Sequence, residues 1–242
     1  MCTVSFIPLK SKVLIVHSRD EKISRGKALA PKQYTINNHT LLFPRDNAAG
    51  GSWIGAHENG NAAVLLNGAS EKHTPAPPYR KSRGLVFLEV LAAADLFQSY
   101  TRVDLDGIEP FTLILWTQQR LFQCCWDGKR KDIKELSADK PQIWSSVTLY
   151  DAGIREKRKT WFADWTHVHG RPTIDQLVDF HLSAGDNDPH NNVLMNRDND
   201  LRTVSITALE IQEDRSVMQY SDVPAQTSSV HELIFTKAAA IL

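Results

Sequence analysis

The 242-residue chain is poor in cysteine, balanced in charge and without a long apolar run. It has three cysteines, an odd number, and Cys124 and Cys125 are neighbours whose geometry opposes a mutual bridge. A disulfide scaffold is therefore excluded, and a reducing, cytoplasmic compartment is expected. Lys+Arg and Asp+Glu both total 28, so no bulk positive field draws nucleic acid or an anionic membrane, and no acidic excess marks a disordered tail. The run VLIV at 13 to 16 is too short for a membrane span or a signal-peptide core, so neither export nor anchoring is expected. The sequon Asn38-His39-Thr40 matters only to a secreted chain. No repeat of fixed period occurs, which excludes a solenoid or propeller.

What is present is alternating order. Residues 1 to 67 read as strands: CTVSFI, KVLIVHS after a turn at Leu9 to Ser11, LLF at 41 to 43, SWIGA at 52 to 56 and AAVLLN at 62 to 67, punctuated by PRDNAAGG and HENGN. VLIV is apolar on both faces, which implies a sheet covered on both sides. After a proline-rich, charged loop at 73 to 82, GLVFLEVLAAADLF reads as one deeply packed helix. Four strand-like segments follow: FTLILW, RLFQCCW, KDIKEL and QIWSSVTLY. Residues 151 to 169 form the clearest helix, with Ile154, Trp161, Trp165 and Val168 on one stripe, Gly170 as its stop and Pro172 beyond. Thr173 and Gln176 offer a capping box for the helix IDQLVDFHLSA. TVSITALEI, VMQYSDV and ELIFTK at 232 to 237 close the chain as strands. The order of strands, helix, strands, helices, strands fits an α+β, four-layer αββα sandwich of two mainly antiparallel sheets, expected as one domain over 1–242.

Cys2 follows the initiator Met1 directly. If Met1 is removed, Cys2 carries a free α-amine beside its thiol, and an amine with a pKa of about 7.7–8.0 can take the thiol proton near neutrality. The alternative for a cysteine at the head of a strand is a small, buried apolar residue. HSRDE at 17 to 21 reads either as a solvated charged turn or as a functional edge. If the first two strands form a hairpin, residue 2 lies opposite roughly residue 18, which brings Arg19 and Asp20 to Cys2. There Arg19 would lower the thiol pKa and Asp20 would orient the amine. Asn67 ends an apolar strand, where its amide NH2 can donate to an oxyanion; Asn-Gly is equally a turn signal. Trp53 of GGSWIG is a candidate substrate contact.

MCTVSF, SRDE, GGSWIG, LLNG and SRG at 82 to 84, in this order, resemble the family named after its Asn-Arg-Asp-Glu motif, the transport and Golgi organisation protein 2 family. That family is similar in turn to the cholylglycine hydrolase and penicillin V acylase group, N-terminal nucleophile hydrolases with an αββα sandwich. The resemblance implies that Cys2 is the nucleophile, Arg19 the arginine flanking the thiolate, Asp20 the amine-orienting aspartate and Asn67 the oxyanion-hole asparagine. Three departures stand out. The motif's asparagine is Ser18. Arg19 and Asp20 are adjacent, so an undistorted strand aims them at opposite faces and a bulge or turn is needed for both to reach Cys2. The acylases' second asparagine falls near Ser145, a weakened substrate contact.

The remaining histidines and aspartates, in HVH at 167 to 169, at His181 and in DNDPH at 186 to 190, match no metal spacing, and no metal site is expected. Cys124 and Cys125 are expected in the core. The reading is an N-terminal cysteine hydrolase cleaving a linear, non-peptide acyl amide of a small molecule without a cofactor. The alternative is a binding or carrier protein on the same fold, handling lipid, acyl-coenzyme A or haem. Specificity is expected in the loops at 73 to 82 and 184 to 200.

Overall fold

The computed structural model describes residues 2–198 and 200–236. The chain runs β1 (Cys2–Leu9), β2 (Lys12–Lys22), a short 3₁₀ turn, β3 (Leu29–Ile36), β4 (His39–Arg45), β5 (Ile54–His57), β6 (Ala62–Asn67), α1 (Arg83–Leu91), α2 (Leu96–Arg102), β7 (Phe111–Thr117), β8 (Arg120–Trp126), β9 (Lys131–Leu136), β10 (Gln142–Ser145), α3 (Ala152–His169), α4 (Ile174–Ser183), β11 (Asn196–Arg197), β12 (Leu201–Ile211), β13 (Arg215–Asp222) and β14 (Thr227–Ile234). Two seven-stranded antiparallel sheets result. The first has the order β10-β1-β2-β12-β13-β14, with β11 on β12; the second runs β3-β4-β5-β6-β7-β8-β9.

The alternation in the first hairpin sets the layers. Val4, Phe6, Val13 and Ile15 point into the core between the sheets, while Ile7, Leu14 and Val16 point the other way, onto Phe162 of α3 and Leu177 and Phe180 of α4. Each such side chain contributes about 1.5–3 kcal/mol by burial. α1 and α2 cover the second sheet, packing on β5, β6 and β7. The architecture is the αββα sandwich, and VLIV is buried on both faces as its sequence requires.

Caps delimit the helices. Asp151 accepts from the Ile154 amide at 2.9 Å and Gly170 ends α3 at φ 46°. The Thr173–Gln176 capping box forms in full, with bonds of 2.9 and 3.2 Å. The stripe on α3 differs from expectation: Arg158 and Phe162 are its buried residues, Trp161 and Trp165 flank them, and Val168 is 78% exposed. The segment read as one helix breaks into α1 and α2, because Asp95 caps a new start by accepting from the Gln98 amide at 2.9 Å. β3 had no strand signal beyond its period, since it is a half-exposed edge containing Pro31. β10 takes only the first part of QIWSSVTLY. The final strand begins earlier than ELIFTK, at Thr227, and Lys237 lies outside the described residues. Cys124 and Cys125 are buried, with the Cys124 thiol pushed up to about 12 by burial.

Candidate active site

A two-residue turn after Leu9 fixes the β1–β2 register, with Leu9 opposite Lys12 and Cys2 opposite Arg19. Directly paired residues share a face, so the thiol and the guanidinium both point between the sheets. HSRDE is not a turn, because β2 continues through it to Lys22. The cavity above this pair, about 420 Å³, is also lined by Trp53, Asn67, Tyr79 and Arg83. Asn67, at the end of β6, makes no hydrogen bond through its side-chain amide among the described residues and faces both this cavity and a neighbouring cleft.

Arg19 is held on two sides. Its guanidinium stacks on Trp53 at 4.3 Å and donates to Asp46 Oδ2 at 2.6 Å, a bond that Asp46 shares with Arg25 Nε at 3.0 Å. The loop PRDNAAGG is wound around Asp46, whose Oδ1 accepts from the Ala48 and Ala49 amides at 3.1 and 2.7 Å. Sequence reasoning missed Asp46, although an aspartate early in a glycine-ended turn is the residue type that closes such a loop on itself. Burial raises the Cys2 thiol above its ordinary value, outweighing the pull of Arg19, whose charge is already engaged by Asp46.

Asp20 faces away from this cavity, toward the helices. It accepts from Tyr150 Oη at 2.8 Å and from Thr203 Oγ1 at 2.7 Å. The expected bulge exists, but on β12: Asp20 pairs with Thr203 and Arg19 with Ser205, leaving Val204 as the extra residue. β2 itself is undistorted, so its adjacent charges stay on opposite faces. Burial pushes the Asp20 carboxyl up, opposed by the charge of Arg158 and the two hydroxyl bonds. Arg158 is fully buried, lies 3.7 Å over the Tyr150 ring, and donates to Thr3 Oγ1 and to the Asn191 and Asn192 carbonyls.

Ser145 belongs to this helix-side group. Its Oγ lies 3.4 Å from Thr3 Oγ1 and 3.5 Å from Arg158 Nη1, and it lines the neighbouring cleft rather than the Cys2 cavity. The next residue reaches inward instead. The Ser146 amide donates to the Cys2 carbonyl at 2.9 Å and its Oγ to the Asn67 carbonyl at 2.6 Å, which ties the head of β1 to the end of β6 across the two sheets. The motif position Ser18 bonds His181 Nδ1 at 2.7 Å, and Ser5 bonds Nε2 at 2.7 Å. Among the described residues, no group of three His, Cys, Asp or Glu side chains converges as metal ligands.

The cavity rim has one tight seam. A Cβ on Gly51 would stand 2.5 Å from the Gly84 carbonyl carbon, and the Ser52 amide donates to the Gly84 carbonyl at 3.2 Å, so the GGSWIG loop presses backbone to backbone on the first turn of α1.

Solved structures share this architecture. The chain is similar to a mutant of the conjugated bile acid hydrolase from Clostridium perfringens, with a TM-score of 0.60 and 8% identity over 96% of this chain and 92% of that one. A second variant of that hydrolase gives 0.59 and 9% over 95% and 92%. The Caenorhabditis elegans N-acylethanolamine-hydrolyzing acid amidase ortholog gives 0.55 and 13% over 86% and 92%. These likenesses show a shared fold, the αββα sandwich of those hydrolase structures. No curated protein matches the chain. Residues 1–219 match the Transport and Golgi organisation 2 family, and the chain belongs to that family.

Proposed function

We propose that the chain is a cytoplasmic N-terminal cysteine amidohydrolase acting on a linear, non-peptide acyl amide of a small molecule. The observation that carries this reading is the direct pairing of Cys2 with Arg19 at the floor of a cavity that Asn67 also lines. With Met1 removed, the Cys2 α-amine takes the thiol proton and the sulfur adds to the amide carbonyl carbon. The Asn67 amide and a backbone N–H hold the oxyanion, the α-amine passes the proton to the leaving nitrogen, and the C–N bond breaks. Water then cleaves the thioester, releasing the acid and restoring the thiol. A backbone amine lies in the plane of its sheet, so Arg19 on one face and Asp20 on the other can address the thiol and the amine separately. Trp53 has its place through Arg19, and Ser145 serves, in this reading, by packing behind Thr3.

Intact-mass analysis and peptide mapping after limiting alkylation test the proposal. Loss of Met1, with Cys2 labelled before Cys124 and Cys125, is the expected result, and Cys2→Ala should then abolish turnover in an acyl-amide screen. Retained Met1 overturns it, because the α-amine would belong to the wrong residue.

A second reading is favoured by one feature: Cys2 is 3% exposed, and its thiol is raised by burial rather than activated. The chain would then be a carrier of lipid, acyl-coenzyme A or haem. Haem absorbance on titration, or lipid that copurifies with a protein inert toward amides, identifies this case.

A further inference from the structure

Arg19 lines two cavities. The second, of about 310 Å³, is not lined by Cys2, and the proposed chemistry does not use it. Its apolar lining comes from Val204, Tyr220, Pro224, Ala225, Ile23 and Ala28. Val204 is the bulge residue of β12, and the break in register beside it leaves its side chain without a directly paired neighbour on β2.

The rim is cationic. Arg19, Lys22, Lys27 and Arg202 line it, against one carboxylate, Asp222. Asp222 holds Lys27 at 3.2 Å, whereas Arg202 has no ion pair among the described residues and its Nε is buried without a hydrogen-bond partner. A guanidinium that lines a cavity without an ion pair is a donor suited to an acceptor from outside the chain. The charge count selects that acceptor's class. With Lys27 offset by Asp222 and Arg19 by Asp46, Lys22 and Arg202 remain, and Lys22 is exposed to solvent, so one partly buried cation is left for one anionic head. The fork of a guanidinium matches a carboxylate. The volume, at the lower end for ligand cavities, suits a short aliphatic body.

We infer that this cavity is a second binding site, which takes a small amphipathic monocarboxylate with its head on Arg202 and its aliphatic body against Val204, Tyr220 and Ala225. The inference stands whether or not Cys2 is a nucleophile.

Calorimetric titration of the full chain with octanoate tests it, with octan-1-ol and octylammonium as comparators of similar length. Octanoate should bind at one site, and each comparator about tenfold more weakly or worse. Arg202→Met should weaken octanoate by about tenfold and leave octan-1-ol unchanged. Ala225→Trp should remove binding of both, with its thermal unfolding showing that the fold is kept. Because Arg19 stacks on Trp53, binding should also change tryptophan emission in the wild type and not in Trp53→Phe. Equal affinities for the three ligands, no octanoate binding at millimolar concentration, or binding lost on alkylation of Cys2 but untouched by Arg202→Met would each overturn the inference.

Discussion

Cys2 and Arg19 stand directly opposite each other across the β1–β2 pair, yet the arginine delivers its charge to Asp46 at 2.6 Å. The thiol therefore sits above its ordinary value because of burial. With Met1 still in place, alkylation of Cys2 should accelerate with pH up to and beyond 9 without levelling near neutrality. Asp46→Asn should release the Arg19 charge toward the thiol and speed labelling at neutral pH by up to about tenfold, one pKa unit. Time-resolved mass spectrometry reads both. A plateau near pH 7 in protein that retains Met1 would contradict this account.

Asp46 itself links the site to acid stability. Burial works to raise its carboxyl, but the hydrogen bonds from Arg25 and the Ala49 amide, with the charges of Arg25 and Arg19, bring it below the usual range. A carboxyl lowered in the folded state stabilises above its unfolded value and loses that contribution as pH falls through the folded one. Asp46→Asn should cost about 2–4 kcal/mol at pH 7, since it takes the nearest carboxylate from a buried guanidinium and leaves it only Glu21 at 3.5 Å. The cost should shrink near pH 3, which urea unfolding at the two pH values would show.

On the helix side, Arg158 and Asp20 should behave as a coupled pair. Arg158→Met should cost about 3–5 kcal/mol, because it removes the donor to Thr3 and to the Asn191 and Asn192 carbonyls together with the charge that opposes burial of the Asp20 carboxyl. Asp20→Asn should be milder, burial having already pushed that carboxyl up. The double variant should lose about 1–3 kcal/mol less than the sum of the two. Simple additivity in denaturant unfolding would mean that the two do not share one network.

His181 should contribute to acid denaturation. Burial takes it down to about 3, and it is held neutral between Ser5 and Ser18. A histidine lowered in the folded state gives stability that is complete above its unfolded value of about 6.5 and drains away as pH falls toward the folded value. His181→Gln should reduce the slope of stability with pH between those values by about 1.4 kcal/mol per unit. The slope should not vanish, because burial also lowers His17, and lowers His57 to about 4. An unchanged slope in equilibrium unfolding across this range would remove His181 from the account.

What the sequence disclosed follows from which interactions are local. The first hairpin was legible because its turn and its apolar alternation lie within a few residues, and the expected partner of Cys2 was one position from the true one. The ends of α3 and α4 were legible because caps are also local. Asp46 and Ser146 were not, since their importance depends on Arg19 and Asn67, partners distant in sequence. Ser145 and Ser146 are chemically identical neighbours, and only the path of the chain after β10 decides which one meets Cys2. On α3, pattern reading picked tryptophans where a fully buried arginine holds the stripe, because a cation there makes sense only once Tyr150, Thr3 and Asp20 are in place.

The contact between Gly51 and Gly84 makes the loop and the start of α1 a single jaw of the cavity. Neither part can swing outward alone without breaking a bond between backbones. Alanine at position 51 would act as a wedge, and amide exchange at Ser52 and Leu85 should then quicken in step.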